Sequence, residues 1–150
     1  MYYRTSTLVN VSIKSKPRPP FHFRLDAESG VPVYRQIIDQ VCGGLASGAL
    51  VTGYQLPTMR QLAVDLAINP NTVVRAYREL ELSGLIETHQ GTGTFIGSQK
   101  LPDAKAERER QLRQIASDII ARLGAGGFTI DELIEQLRAW PNRRASEDNA

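Results

Sequence analysis

The most constraining stretch of this 150-residue chain is residues 56 to 96, LPTMRQLAVDLAINPNTVVRAYRELELSGLIETHQGTGTFI. It holds two short amphipathic helical patterns back to back. Thr58, with Gln61 three residues on, predicts a capping box that places the start of the first helix. Leu62, Ala63, Leu66 and Ile68 form its expected buried side. Asn69 as cap and Pro70 as first helical residue open the second helix and fix a tight turn between the two. Val73, Ala76, Tyr77 and Leu80 then recur at helical spacing, and Gly84 is expected to stop the helix with a left-handed cap. Two short β-rich runs, Leu85 to His89 and Thr94 to Gly97, flank Gln90-Gly91-Thr92-Gly93, where the glycines supply the positive φ angles a hairpin turn requires. Helix, tight turn, helix and hairpin in that order predict a winged helix-turn-helix, which sets its second helix into the major groove of DNA.

The flanks divide at proline and glycine. Residues 1–20 contain Arg4, Lys14, Lys16 and Arg18 and no acidic residue, and Pro17, Pro19 and Pro20 set them apart from the rest of the chain. They read as a solvated, disordered basic extension; the alternative is an arm adding phosphate contacts. Phe21 to Leu25 alternates apolar and polar residues, as a strand or extended segment does, and Asp26 to Gly30 is a loop. Pro32 suits the first turn of a helix running to about Ala49, with Val33, Tyr34, Ile37, Ile38, Val41, Leu45 and Leu50 as its stripe. Gly43-Gly44 inside it costs about 1 kcal/mol per glycine relative to alanine, so either the helix frays there or another element packs closely. A charged helix is expected from Pro102 to Leu123, with Leu112, Ile115, Ile119, Ile120 and Leu123 on one face and Gly124 to Gly127 breaking it. Thr129 and Glu132 form a second capping box, opening a helix with Ile130, Leu133, Ile134, Leu137 and Trp140 inside and Pro141 at its end.

The expected organisation is thus a basic extension (1–20), a winged helix-turn-helix domain (21–98), a two-helix dimerisation region (101–140) and a disordered tail (141–150). The fold class is α+β, mainly α. No apolar run approaches the roughly 18 residues of a membrane span, which points to the cytosol. Cys42 is the only cysteine, so thiol-based metal cages and intrachain disulfides are excluded. His22 and His89 lack a neighbouring ligand pattern, and neither metal nor cofactor is expected. No nucleophile–base pair or phosphate loop appears, which leaves little support for an enzyme. The net charge of +2 is by itself weak evidence for a nucleic-acid partner.

If the second helix of the pair reads DNA, its exposed residues near the N-terminus are Asn71, Thr72, Arg75 and Arg78, with Val74 at the edge. Asn matches adenine N6/N7, Arg matches guanine O6/N7, and Val74 suits a thymine methyl. Thr72 and the backbone N–H groups at the helix start suit a phosphate oxygen. Arg60 lies in the first turn of the preceding helix, facing backbone or base edge. The turn Gln90, Gly91, Thr92 would lie along adjacent phosphates or the minor groove, with His89 close by. Each side chain also has an ordinary reading, since Arg75 and Arg78 both neighbour Glu79 and local ion pairs on a solvated helix look alike.

Residues 31 to 97 resemble the winged helix-turn-helix domain of GntR-family bacterial transcription regulators. The motifs are P-x-Y-x-Q-I (Pro32 to Ile37), L-P-x-x-R-x-L-A (Leu56 to Ala63), N-P-N-T-V (Asn69 to Val73), A-Y-x-E-L-E (Ala76 to Glu81) and G-x-G-T-F-I (Gly91 to Ile96). The N-P-N-T-V-x-R-A-Y form is most similar to the short YtrA-type branch. The resemblance implies that Arg60, Thr72 and Gly91 contact DNA, with Asn71 and Arg75 as further candidates. Two departures matter. Pro70 stands where many members carry Arg, so a base contact from that position is lost, and Gly43-Gly44 replaces the more usual helix formers.

Two short amphipathic helices cannot bury a sizeable core alone. The apolar faces of the tail, Leu112, Ile115, Ile119 and Leu123 with Leu133, Leu137 and Trp140, therefore need a partner. They either pack back on the first helix or pair with a second copy. YtrA-type relatives are similar in dimerising through this tail, and a dimer places two reading helices roughly 34–36 Å apart on a pseudo-palindromic double-stranded DNA operator. The expected function is a homodimeric repressor responsive to a small molecule, with control of transport genes implied only by analogy to the branch. The alternative is a winged-helix protein-interaction module without specific DNA binding.

Overall fold

The computed structural model describes residues 20–99 and 104–140. Helix α1 spans Val33–Ser47, α2 Met59–Leu66 and α3 Pro70–Leu82, and a strand β1 of two residues, Gln55–Leu56, precedes α2. Strands β2 (Ile86–His89) and β3 (Gly93–Ile96) form the hairpin, and α4 (Lys105–Ala125) and α5 (Ile130–Ala139) complete the chain order. The sheet is antiparallel in the order β1-β3-β2, with Ile86 opposite Ile96 and Leu56 opposite Thr94. Pro32 caps α1 instead of lying in its first turn, its carbonyl accepting from the amides of Arg35 and Gln36 at 2.9 and 3.0 Å.

One core organises residues 21–97. Ile37, Val41, Leu62, Val73, Ala76, Tyr77, Leu80, Ile86 and Ile96 are each 3% exposed or less. All four residues expected to face inward from α3 do so, because they occupy one side of the helix against α1, α2 and β2. Fully burying a Val or Leu side chain contributes about 1.5–3 kcal/mol, so Val73 and Leu80 tie α3 firmly into the shared core.

The helix ends obey local chemistry. At α2 the Thr58 hydroxyl accepts from the Gln61 amide at 3.1 Å, but the Gln61 side chain turns away to Asp65 Oδ1 at 2.8 Å. Only half of the expected capping box therefore forms, since Asp65 one turn on competes for the Gln61 side chain. The turn into α3 needs a left-handed residue, and Ala67 supplies it at φ 52°, with the Ile68 amide donating to the Ala63 carbonyl at 3.0 Å. At the end of α3, Gly84 at φ 76° does the same for the Leu85 amide, which donates to the Leu80 carbonyl.

The two glycines of α1 do not fray it. The helix runs through both, and Gly44 is buried so closely that a Cβ there would lie 2.8 Å from Leu50 Cδ1 and 2.9 Å from Phe21 Cε2. Residues 21–25 are extended but pair with no strand. Gln40 takes the place of one, its side-chain oxygen accepting from the Arg24 N–H at 2.8 Å and its side-chain nitrogen donating to the Arg24 carbonyl at 2.7 Å. The side chain of Gln36 likewise bonds the amide and carbonyl of Asp26, at 2.9 and 2.8 Å, and secures the loop.

The C-terminal helices differ from the expectation in one respect. Helix α4 extends through Gly124 to Ala125, closing on Gly126 with the Phe128 amide donating to the Leu123 carbonyl at 2.9 Å. The Thr129–Glu132 capping box forms in full. Yet neither helix contains a buried residue: Ile130, Ile134, Leu137 and Trp140, expected inside, are exposed, and Leu133 is half-buried. The end of that face approaches α1 without being buried: Leu137 and Trp140 line an open groove with Gly43, Ala46 and Ser47. No helix among the described residues is long and apolar enough to cross a membrane. Residues 1–19, 100–103 and 141–150, including all of the expected basic extension but Pro20, the expected tail 141–150, Pro102 and Pro141, lie outside the described residues.

Candidate nucleic-acid interface

Asn71, Arg75 and Arg78 stand at i, i+4 and i+7 on α3, and all three are exposed. That spacing gathers them on the side of the helix opposite Val73, Ala76, Tyr77 and Leu80. Thr72 is half-buried at the margin of this row, and Val74 is exposed beside it. The row is aimed by the core behind it. Tyr77 Oη donates to the Pro57 carbonyl at 2.7 Å, tying α3 to the residue that leads into α2. Burial of that phenol holds its pKa well above the usual tyrosine range.

The start of α3 offers less to a phosphate than its sequence promises. Pro70 carries no N–H, the Asn71 amide donates to Asn69 Oδ1 at 2.9 Å, and the Thr72 amide donates to the Asn69 carbonyl at 3.0 Å. The cap that shapes the turn thus consumes the amides expected to bind an anion.

Arg60 is exposed in the first turn of α2. Gln90, Gly91 and Thr92 form the exposed tip of the hairpin, where Gly91 takes φ 79° and the Thr92 amide donates to the His89 carbonyl at 3.0 Å. The tip is braced from β1: Gln55 Nε2 donates to the Thr92 carbonyl at 3.2 Å. Gly93 is required there by its φ of 131°; a Cβ would also displace the Gln55 side-chain nitrogen, 2.6 Å away, and with it the brace. His89 faces Glu87 at 3.5 Å and its ring tilts over Phe95 at 5.7 Å, so it is engaged within the hairpin. Among the described residues no cluster of metal-ligating side chains occurs.

Two members of this surface were not legible from residue types. One is Gln55, because a two-residue strand ahead of Pro57 leaves no periodic signal. The other is Tyr34, which belongs to the apolar stripe of α1 but places its ring under Arg75, with the guanidinium carbon 3.6 Å from the ring centroid. Arg75 also pairs with Glu79 at 3.5 Å, as the i,i+4 spacing predicts. Of the tail residues, Leu137 and Trp140 line a groove against α1 with Gly43, Ala46 and Ser47. Leu112, Ile115, Ile119, Leu137 and Trp140 are exposed, while Leu123 and Leu133 are half-buried.

This geometry has close counterparts among known proteins. Residues 33–96 match the family of bacterial regulatory proteins described as the gntR family. Over 113 residues the chain is 32% identical to the transcriptional regulator YhcF of Bacillus subtilis, covering 75% of this chain and 93% of YhcF. The chain belongs to the GntR family. A second relative, the HTH-type transcriptional repressor YtrA of Bacillus subtilis, is 32% identical over 115 residues, covering 77% of this chain and 88% of YtrA. This GntR-family chain is of the YtrA type. A crystal structure named as a transcriptional antiterminator from Listeria monocytogenes superposes with a TM-score of 0.59 at 29% identity, covering 80% of this chain and 90% of that one. The GntR chain is therefore a DNA-binding transcription regulator and not an enzyme. Family membership decides against the protein-interaction module.

Proposed function

We propose that this GntR regulator is a cytoplasmic homodimeric repressor that reads a pseudo-palindromic operator with two copies of α3. Asn71, Arg75 and Arg78 face base edges. Arg60, Thr72 and the Gln90–Gly91–Thr92 tip hold phosphates or the neighbouring groove. The observation that carries the dimer is the tail: Leu112 is 66% exposed, Ile115 54% and Ile119 42%, on a 21-residue helix with no buried residue. An apolar stripe of that length in water calls for a partner helix, and a second copy supplies an identical one. Leu123, Leu133, Leu137 and Trp140 are assigned to the same interface in this reading. The repressor assignment rests on YtrA by name, and control of transport genes is carried over from the branch as an analogy. A small-molecule effector would sit in the groove of about 410 Å³ between α1 and Trp140, walled by Phe21, Gly43 and Gly44 and rimmed by Arg24 and Asp39.

The test is selection of duplexes from a random-sequence pool by the full chain, together with sedimentation of free and bound protein. A two-fold symmetric consensus bound by two protomers is expected. Alanine at Arg60 or Arg75 should weaken the selected complex by about 1–3 kcal/mol, with a smaller salt slope where a phosphate contact is lost. Ile119→Asp should give monomers that bind one half-site weakly. An asymmetric consensus occupied by a single protomer would refute the dimeric reading, and a pool without enrichment would refute operator recognition.

A further inference from the structure

Arg75 is the one arginine of the exposed row on α3 whose guanidinium is held on two sides. Its carbon lies 3.6 Å from the centroid of the Tyr34 ring, and its Nε lies 3.5 Å from Glu79 Oε1. The two contacts use different parts of the group. The ring covers one face of the guanidinium plane, and the carboxylate takes the Nε edge. The two terminal nitrogens are left over by both contacts, and these are the donors whose spacing matches guanine O6 and N7. Tyr34 is itself fixed, since it lies one turn before the buried Ile37 and Ile38 on α1, and α1 packs against α3.

We propose that Tyr34 is a positioning residue for base readout: its ring sets the plane of the Arg75 guanidinium before DNA arrives. This rests on the reading that the exposed face of α3 meets base edges. The physical advantage is pre-organisation. A free arginine samples many rotamers and must lose that freedom on forming a two-pronged contact. An arginine stacked on a ring carried by the core has already lost part of it, and the stacking leaves the terminal donors unused. Glu79 cannot do the same work, because an exposed i,i+4 pair is weak and its charge repels DNA of every sequence. Tyr34 therefore governs which base pair is preferred, whereas Glu79 governs affinity for DNA in general.

The experiment uses the full chain, the duplex that it enriches from a random pool, and a non-specific duplex of equal length. Tyr34→Leu, Tyr34→Phe, Arg75→Ala and the double variant Tyr34→Leu/Arg75→Ala are compared, with thermal melting to confirm folding. Tyr34→Leu is expected to weaken the selected complex about two- to fivefold, the range of an exposed cation–π contact. It should also flatten the preference at the same base pair that Arg75→Ala flattens, while leaving the non-specific complex unchanged. Tyr34→Phe keeps the ring and should behave as the parent. In the Arg75→Ala background, Tyr34→Leu should cost nothing further. An equal loss in both backgrounds, or an equal loss on the non-specific duplex, would show a merely structural role and overturn the proposal. So would a Tyr34→Phe variant as impaired as Tyr34→Leu. If Arg75→Ala itself leaves affinity and base preference intact, or if the pool is not enriched at all, the underlying reading of the α3 face falls.

Discussion

Gly43 and Gly44 are adjacent on one helix, yet the same substitution should affect stability very differently at the two. Replacing either by alanine removes the conformational penalty of a helical glycine, about 1 kcal/mol in favour of the variant. The surroundings then separate them. A Cβ at Gly43 would meet Trp140 Cζ2 at 3.8 Å, an ordinary contact, so Gly43→Ala should gain close to the full 1 kcal/mol. A Cβ at Gly44 would meet Leu50 Cγ at 2.9 Å as well as Leu50 Cδ1 and Phe21 Cε2. Leu50 is 1% exposed and has no room to swing aside, so the clash carries the cost of overpacking a core, about 1–3 kcal/mol. The propensity gain is common to both variants and cancels in their difference, which therefore isolates the clash at about 1–3 kcal/mol. Urea unfolding at one fixed protomer concentration, with unchanged slope, measures that difference from the two midpoints. Equal midpoints would refute the claim that Gly44 is required by close packing.

Further perturbations probe the helix-turn-helix and the tail. Tyr77→Phe deletes the hydrogen bond to the Pro57 carbonyl and should lower stability by about 1 kcal/mol in urea unfolding. The raised pKa of the Tyr77 phenol means that its contribution is complete below the unfolded value near 10 and is lost as pH rises beyond it. The parent should thus weaken more than Tyr77→Phe in alkaline unfolding. Ala67→Gly removes the left-handed strain of the turn, about 1–2 kcal/mol, against the entropy cost of glycine; a net gain of about 0.5–1 kcal/mol should raise the urea midpoint. The Thr129 backbone amide and then its hydroxyl hold the Glu132 carboxyl below its usual pKa. The cap is therefore complete above the unfolded value near 4.3 and opens as pH falls through the lower folded one. The Thr129 amide resonance should report this in the parent and lose the transition in Glu132→Gln.

What the sequence revealed, and what it hid, divides along the range of the forces involved. Capping residues act on neighbours within one turn, so Asn69, Gly84 and the Thr129–Glu132 box are where their types predict. Helical periodicity likewise placed Val73, Ala76, Tyr77 and Leu80 in the core and left Asn71, Arg75 and Arg78 outside. The Thr58–Gln61 box forms only by half because Asp65 competes for the Gln61 side chain, a choice between two local partners of similar strength. Strand β1, the Gln40 clamp on Arg24, the Gln55 brace and the stack of Tyr34 on Arg75 all join residues distant in sequence. No periodicity announces them. The occupied amides at the start of α3 were a matter of counting: the Asn69 cap legible in the sequence is the group that removes them from any phosphate.

The uneven distribution of burial sets how the two parts of the chain are coupled. Residues 21–97 have a core of their own, whereas α4 and α5 have none. A 21-residue helix is long enough to be marginally stable alone, but the 10 residues of α5 are not, full capping box notwithstanding. In the proposed dimer the order of α5 therefore comes from association and is linked to protomer concentration by mass action. Trp140 caps α5 and lies beside α1 at Gly43, on the helix whose Tyr34 stacks against Arg75 of α3. Dimer formation should thus order the tail and add a second α3 in the same step. Operator occupancy should rise with the square of protomer concentration below the dimer dissociation constant and linearly above it. The break in a titration of the selected duplex should coincide with the dimer constant from sedimentation and with the gain in α5 helicity. Occupancy linear across the whole range, with α5 already ordered in the monomer, would sever the tail from DNA reading.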